Sequence, residues 1–367
     1  MRVKLGYLSG MMLAGLLLSG CASGPKYFDN NKFASDKKAF VEKYTDSESS
    51  RRLAKVKKVV IPSFRVEFLT RTSGGSSARD YSSGNSVSAS VAYNLKGVSE
   101  KTMLSITNSL YDKFVSDLTA AGYEVVPQSA LEKSDNYKKL VAKYDKKSPF
   151  LDESGILEKD GKSLIFAPKG MPVYFSTLDT NTKKPGLFDA FGQMGSAFKG
   201  EAVMNYEGAI MHDFEAALIK PNFVVGFATI EGSKSLGGSF ISASVKSEMN
   251  ITIPVQRTQI QFFPSYSKPG DTYIVDGSNG RVFLKEPMIA GDNIASEVVD
   301  VTPIGTTVAT GVLNVLSAVS RASGGSGSSM SITEYDAKMV EATYKNAAIQ
   351  NLSAASELLV MKASSER

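Results

Sequence analysis

The chain has 367 residues, yet it contains no tryptophan, a single cysteine and a single histidine. One cysteine cannot form an intrachain disulfide, so stability has to come from burial. One histidine leaves almost no material for imidazole-centred catalysis or for the usual transition-metal ligand sets. The charge is slight as well. A formal net charge of +5 is too small for a dedicated nucleic-acid surface, and a nucleic-acid partner is not expected. The apolar run at 8–18, LSGMMLAGLLL, is too short to cross a bilayer as a helix.

That run is informative for what surrounds it. Arg2 and Lys4 precede it, and small residues end it directly before Cys21, giving a charged end, an apolar core and a cleavage site. The pattern Leu18-Ser19-Gly20-Cys21 resembles the lipobox of a bacterial lipoprotein signal. The resemblance implies cleavage before Cys21, with a diacylglycerol on its sulfur and an acyl chain on its amine, so Cys21 is the expected lipid-attachment site. Several acyl chains, at ~0.8 kcal/mol per buried methylene, make a stable anchor where one would be marginal. Ala22 and Ser23 follow, with no Asp beside the cysteine, which resembles sorting to the outer membrane with the body in the periplasm. The alternative is an ordinary secretory signal with a chance cysteine.

Residues 1–20 are then a signal peptide, and the net charge falls to +3 as Arg2 and Lys4 leave. Residues 21–50 read as the lipidated cysteine and a tether, 51–300 as a periplasmic domain with an inserted segment at about 128–205, and 301–367 as a C-terminal helical region. The stretch 55–70, KVKKVVIPSFRVEFLT, is β-branched and aromatic and reads as a strand, with Pro62 at a bulge or edge. The Gly/Ser-rich residues after it, to about 90, read as a flexible loop or a long hairpin end. Ser99 is an N-cap candidate with Glu100 in the first turn, and Met103, Ile106, Leu110, Phe114 and Leu118 form one helical stripe closed by Gly122. The strand at 123–127 completes a βαβ-like opening.

Residues 128–163 are Lys-rich and peripheral, and 186–200 carries Phe188, Phe191 and Phe198 among glycines. Ile210, Phe214 and Leu218 form a second helical stripe ended by Pro221, followed by a strand at 222–230. A Gly/Ser turn at 232–239 leads into residues alternating with period two through Ile251, Ile253, Val255, Ile260 and Phe262. That is the pattern of an antiparallel sheet with one wet face. Two more strands flank the turn at 277–280. Residues 306–319 read as a buried or interface helix, 323–329 as a loop, and a terminal helix of ~30 residues starts near Thr333. The expected fold is α+β (or α/β): a mixed, largely antiparallel sheet packed by amphipathic helices, with a long C-terminal helix.

The succession of lipobox, IPSF strand, amphipathic helix, GYEVV strand, second helix and NFVVGFATI strand resembles the periplasmic domain of the curli-secretion lipoprotein family and its TolB-N-like relatives. It covers about 56–126 and 206–290, and implies a role in an envelope assembly or secretion system.

Catalytic constellations do not emerge. His212 lies in Met211-His212-Asp213-Phe214-Glu215, and a general base would need an oriented nucleophile that spacing does not supply. Asp152-Glu153 and Glu158 with Asp160 fall in charged loops without calcium-loop spacing. Gly324-Gly325-Ser326-Gly327 lacks the strand-to-helix context of a nucleophile elbow, and no Gly-Lys-Ser/Thr follows Gly74-Gly75 or Gly237-Gly238. No catalytic, cofactor-binding or metal-binding residue is therefore assigned, and no cofactor is expected. The expected function is that of a lipid-anchored envelope scaffold acting through protein–protein contacts. Its expected partners are the membrane through the anchor, and envelope proteins or further copies of itself. The 306–319 and 186–200 segments motivate that self-association. A glycan- or cell-wall-acting enzyme, or a small-ligand-binding lipoprotein, is the alternative.

Overall fold

A computed structural model of the chain describes residues 26–79, 86–152, 162–179, 201–237, 240–255, 257–302, 318–324 and 328–367. Side chains at 235–241, 318–324 and 328–332 are not described. Cys21, Glu153, Glu158, Asp160, the 186–200 segment and residues 306–317 lie outside the described residues.

The described part of the tether is folded. Two short helices, α1 (Asn30–Ser35) and α2 (Lys37–Tyr44), are N-capped by the side chains of Asp29 and Asp36. They turn Phe28, Phe33, Phe40 and Tyr44 into one aromatic cluster with ring centroids 5.1–5.7 Å apart. Burying these rings outweighs the polar composition of the segment, so the residues read as a tether pack on the domain from Phe28 onward.

Strands β1 (Thr45–Glu48), β2 (Lys58–Val60) and β3 (Arg65–Arg79) follow, with Pro62 in the break between the last two. The loop or hairpin end expected after residue 70 is a hairpin. β3 turns back as β4 (Ser86–Lys96), with Val87, Ala89, Val91 and Tyr93 buried and Ser86, Ser88 and Ser90 half-buried between them. Helix α3 (Glu100–Ala120) buries Met103, Ile106, Leu110, Phe114 and Leu118, capped by the Ser99 side chain accepting from Thr102 N. Gly122 takes φ +81 after it, the left-handed conformation that a side chain would strain. Then come β5 (Glu124–Val125), α4 (Gln128–Leu131), α5 (Asp135–Tyr144), β6 (Phe150–Asp152) and β7 (Lys162–Phe166). β6 pairs with β7 and β7 with β3, so the inserted segment returns to the main sheet.

Helix α6 (Val203–Phe214) is shorter than its stripe suggested, because Leu218 and Pro221 belong to β8 (Ala217–Val225). Pro221 falls at 219–221, which has no ladder partner on the β2 and β3 side, where a strand tolerates a missing N–H. The turn expected at 232–239 is mostly strand, in the hairpin of β9 (Thr229–Gly237) with β10 (Phe240–Glu248). The chain continues through β11 (Thr252–Ile253), β12 (Gln259–Phe263), β13 (Tyr266–Ser267), β14 (Ile274–Val275), β15 (Gly280–Leu284), β16 (Met288–Ile289) and β17 (Ala295–Asp300).

The C-terminal region departs most from the helical expectation. Residues 318–324 form strand β18 (Ala318–Gly324), and Thr333, Glu334 and Met339 lie in β19 (Ser328–Met339) rather than in a helix. Tyr335, Ala337 and Met339 are buried while Asp336 and Lys338 are not, so period two prevails there. The terminal helix, α7 (Glu341–Ser365), starts later.

The fold is α+β, with seven helices among the described residues, mixed sheets and a long C-terminal helix. The main sheet has twelve strands on the path β1-β15-β12-β8-β3-β4-β19-β17, with β2, β5, β6 and β7 branching from it. β4–β19, β2–β5, β2–β8 and β3–β8 are parallel pairs. Helices α3 and α7 run side by side in the same direction. Glu341 accepts from Ser99 N, Ser99 Oγ and Thr102 Oγ1 at one end, and Ser356 Oγ donates to Asp117 at 2.9 Å further along. Buried alanines at 347, 348, 354, 355 and 363 let α7 approach closely. Under α3, Phe64, Phe114 and Phe223 form an aromatic core with centroids 5.5–6.0 Å apart.

Candidate functional site

Beyond residue 71, β3 leaves β7 and continues paired to β4 alone. There the distal parts of β3, β4 and β19 face a second sheet of order β18-β10-β9, which makes a two-layered extension of hairpins. Among the residues whose side chains are described, its interior holds Ala78, Val87, Ala89 and Val91 in one layer and Ala243, Val245 and Ser247 in the other. The layers touch at glycine. A Cβ on Gly74 would lie 2.6 Å from Ile230 Cγ2, one on Gly232 would lie 2.8 Å from the Gly75 carbonyl, and Ser76 Oγ donates to Ser233 O at 2.8 Å.

Burial scales with apolar area, about 25 cal/mol per Å². Side chain for side chain, these Ala, Val and Ser residues therefore stabilise the extension less than Phe64, Phe114 and Phe223 stabilise the body. The base of the extension lies beside the N-terminal segment, where Tyr27 Oη donates to Glu248 Oε2 at 2.7 Å.

Sequence reasoning missed a buried ionic cluster. Arg65 at the start of β3, Asp179, Lys220 in β8 and Glu207 in α6 have side chains 7%, 2%, 4% and 0% exposed. Arg65 Nη1 donates to Asp179 Oδ2 at 2.8 Å, and Lys220 Nζ donates to Asp179 Oδ1 at 3.1 Å and Glu207 Oε1 at 2.6 Å. Tyr174 Oη adds a bond to Glu207 Oε1 at 3.0 Å. Burial pushes the Glu207 carboxyl up, partly countered by Lys220. Burial also acts upward on Asp179, but the cations Arg65 and Lys220 outweigh it and hold that carboxyl at about 2. The two cations and two carboxylates balance, and the four groups clamp residues 174–179 onto the sheet. The one signal in the sequence is Lys220 inside the apolar run ALIKPNFVV.

His212 lies half-exposed in the last turn of α6. Its Nε2 shares a hydrogen bond of 3.0 Å with Tyr273 Oη, and the Tyr266 ring meets it edge-on at 5.9 Å. Asp213 accepts from Ser134 Oγ and Asn136 Nδ2. The hydroxyl that His212 meets is the Tyr273 phenol, and among the described residues no serine or threonine hydroxyl bonds to His212. Asp152 ends β6, Gly74 and Gly75 lie in β3, Gly237 ends β9 and Gly324 ends β18, so none of these stands in a phosphate loop or a nucleophile elbow. Among the described residues no group of three or more His, Cys, Asp or Glu could hold a metal ion, and no helix is long and apolar enough to cross a membrane. Compared with protein-family models, curated proteins and solved structures, the chain matches none.

Proposed function

We propose that the protein is an envelope lipoprotein, held to the outer membrane by acyl chains on Cys21, that works through protein–protein contacts as a component of an assembly or secretion system. The observation that carries this reading is the hairpin extension beside the N-terminal segment. Tyr27, bonded to Glu248 at the base of β10, is six residues from Cys21, a reach of at most about 20 Å. Acylation at Cys21 would therefore hold the base of the extension close to the lipid surface, where opening of the two layers would expose fresh edges and apolar faces to neighbouring copies.

One feature of the strands favours a more specific form of this reading. β4, β9, β10 and β19 run for nine to twelve residues, the length a tilted strand needs to span the hydrocarbon core. In β4 and β10, small apolar residues facing the other layer alternate with serines. Strands of this kind meet the pattern of membrane β-hairpins, and barrel closure would require several copies.

The anchor is tested by metabolic labelling with palmitate in a bacterial host. Label is expected in the full-length protein and is expected to vanish in Cys21→Ser, which should leave the membrane fraction. Equal labelling of both proteins, or of neither, removes the basis for the proposed location.

A further inference from the structure

At the far side of α6, an open cleft of about 500 Å³ is lined by Lys58, His212, Asp213, Phe214, Glu215 and Tyr266. Its aromatic wall is held rigidly. The β13–β14 hairpin packs on α6 at Gly208, where a Cβ would lie 2.8 Å from Ile274 N, and Asn205 Nδ2 donates to Tyr273 O at 3.1 Å. This contact sets Tyr273 against His212, with stacked centroids 4.3 Å apart, and brings Tyr266 edge-on to both rings. Glu215 ends the helix in the left-handed conformation at φ 48, and Asp213 is steadied by Asn136 of α5 and by Ser134, the N-cap of that helix.

We infer that this cleft binds a neutral saccharide. The lining combines ring surface with an ammonium, an imidazole and two carboxylates. It thus offers donors and acceptors side by side around an apolar face. A sugar ring presents the same combination, a C–H patch on one face and hydroxyls at its edge, and a cleft of this volume accommodates one or two rings. A charged ligand fits less well. An anion would meet Asp213 and Glu215, and a cation would compete with Lys268, whose Nζ already lies 4.9 Å from the centroid of the Tyr273 ring.

The single histidine gives the test a local readout, since the imidazole resonances of the untagged full chain belong to His212 alone. Titration with the N-acetylglucosamine tetramer is expected to move them saturably. Tyr266→Ala is expected to weaken binding about tenfold, and Tyr266→Phe, which keeps the ring, to retain most of it. Glu215→Gln, at an exposed position, provides a second variant that should weaken binding without touching the core. Two outcomes overturn the inference. One is no saturable change by roughly 10 mM sugar; the other is a response to choline or inorganic phosphate at lower concentration than to the sugar.

Discussion

Joining the two hairpin layers by a disulfide between Gly74→Cys and Ile230→Cys is expected to hold the protein as a single copy at the membrane, and reduction is expected to release it into its assembled form. The site suits the link. A Cβ on Gly74 lies 3.0 Å from Ile230 Cβ, and the atoms it crowds all belong to the isoleucine side chain that the substitution removes. A disulfide wants Cβ atoms about 3.5–4.5 Å apart, so the two strands must part by roughly half an ångström. The chain's one natural cysteine is Cys21, which acylation would remove from thiol chemistry. The reduced protein is its own control for folding. Size measured after detergent extraction, with and without reductant, reads the effect. Assembly that persists in the oxidised protein would mean that the layers stay closed and that copies meet elsewhere.

Lys220→Met should destabilise the body strongly, by about 3–5 kcal/mol in urea unfolding at pH 7. Methionine fills much the same volume, but Glu207 loses the ammonium at 2.6 Å and Asp179 is left with Arg65. Adding Glu207→Gln should recover a large part of the loss, because the remaining buried ions, Arg65 and Asp179, pair with each other. If the double variant is as unstable as the sum of the single ones, the four groups do not act as a unit.

The same cluster fixes a pH dependence. Asp179 is held at about 2 against an ordinary 3.8, so its share of stability is present above 3.8 and is lost as pH falls toward 2. The shift corresponds to roughly 2 kcal/mol. Glu207, pushed upward by burial, works in the other direction, losing stability as pH rises through and above its ordinary 4.5. Asp179→Asn should therefore flatten the acid limb of the stability curve between pH 4 and 2, as followed by urea midpoints.

The parts of this fold that were legible in the sequence are those where large apolar residues keep one period. Met103, Ile106, Leu110, Phe114 and Leu118 declare α3 because each is big and each faces the same core. The hairpin extension keeps period two through Val87, Ala89 and Val91. Alanine against serine has little hydropathic contrast, however, so much of it reads as low complexity. In β19 the residues Tyr335, Ala337 and Met339 alternate, but Met339 also fits the helical stripe of α7 directly after it. Only the parallel ladder with β4, where Tyr335 stacks on Tyr93, decides between the two. The aromatic cluster of Phe28, Phe33, Phe40 and Tyr44 has no single period because two helices, separated at Asp36, and the residue before the first one's cap contribute to it.

Sites were harder to see for a different reason. His212 and Tyr273 are 61 residues apart, and Arg65 and Asp179 are 114 apart. No local pattern encodes either pairing. Lys220, in a strand whose residues are all buried, was the single local anomaly.

Under the proposed function, copies of this chain assemble at the membrane. Native mass spectrometry of the full-length acylated protein, extracted from membranes in mild detergent, tests it most directly. The expected result is a discrete species at a whole-number multiple of the single-chain mass that keeps its size on dilution to micromolar concentration. A species containing one chain, with its acyl groups present and its fold intact, would contradict it.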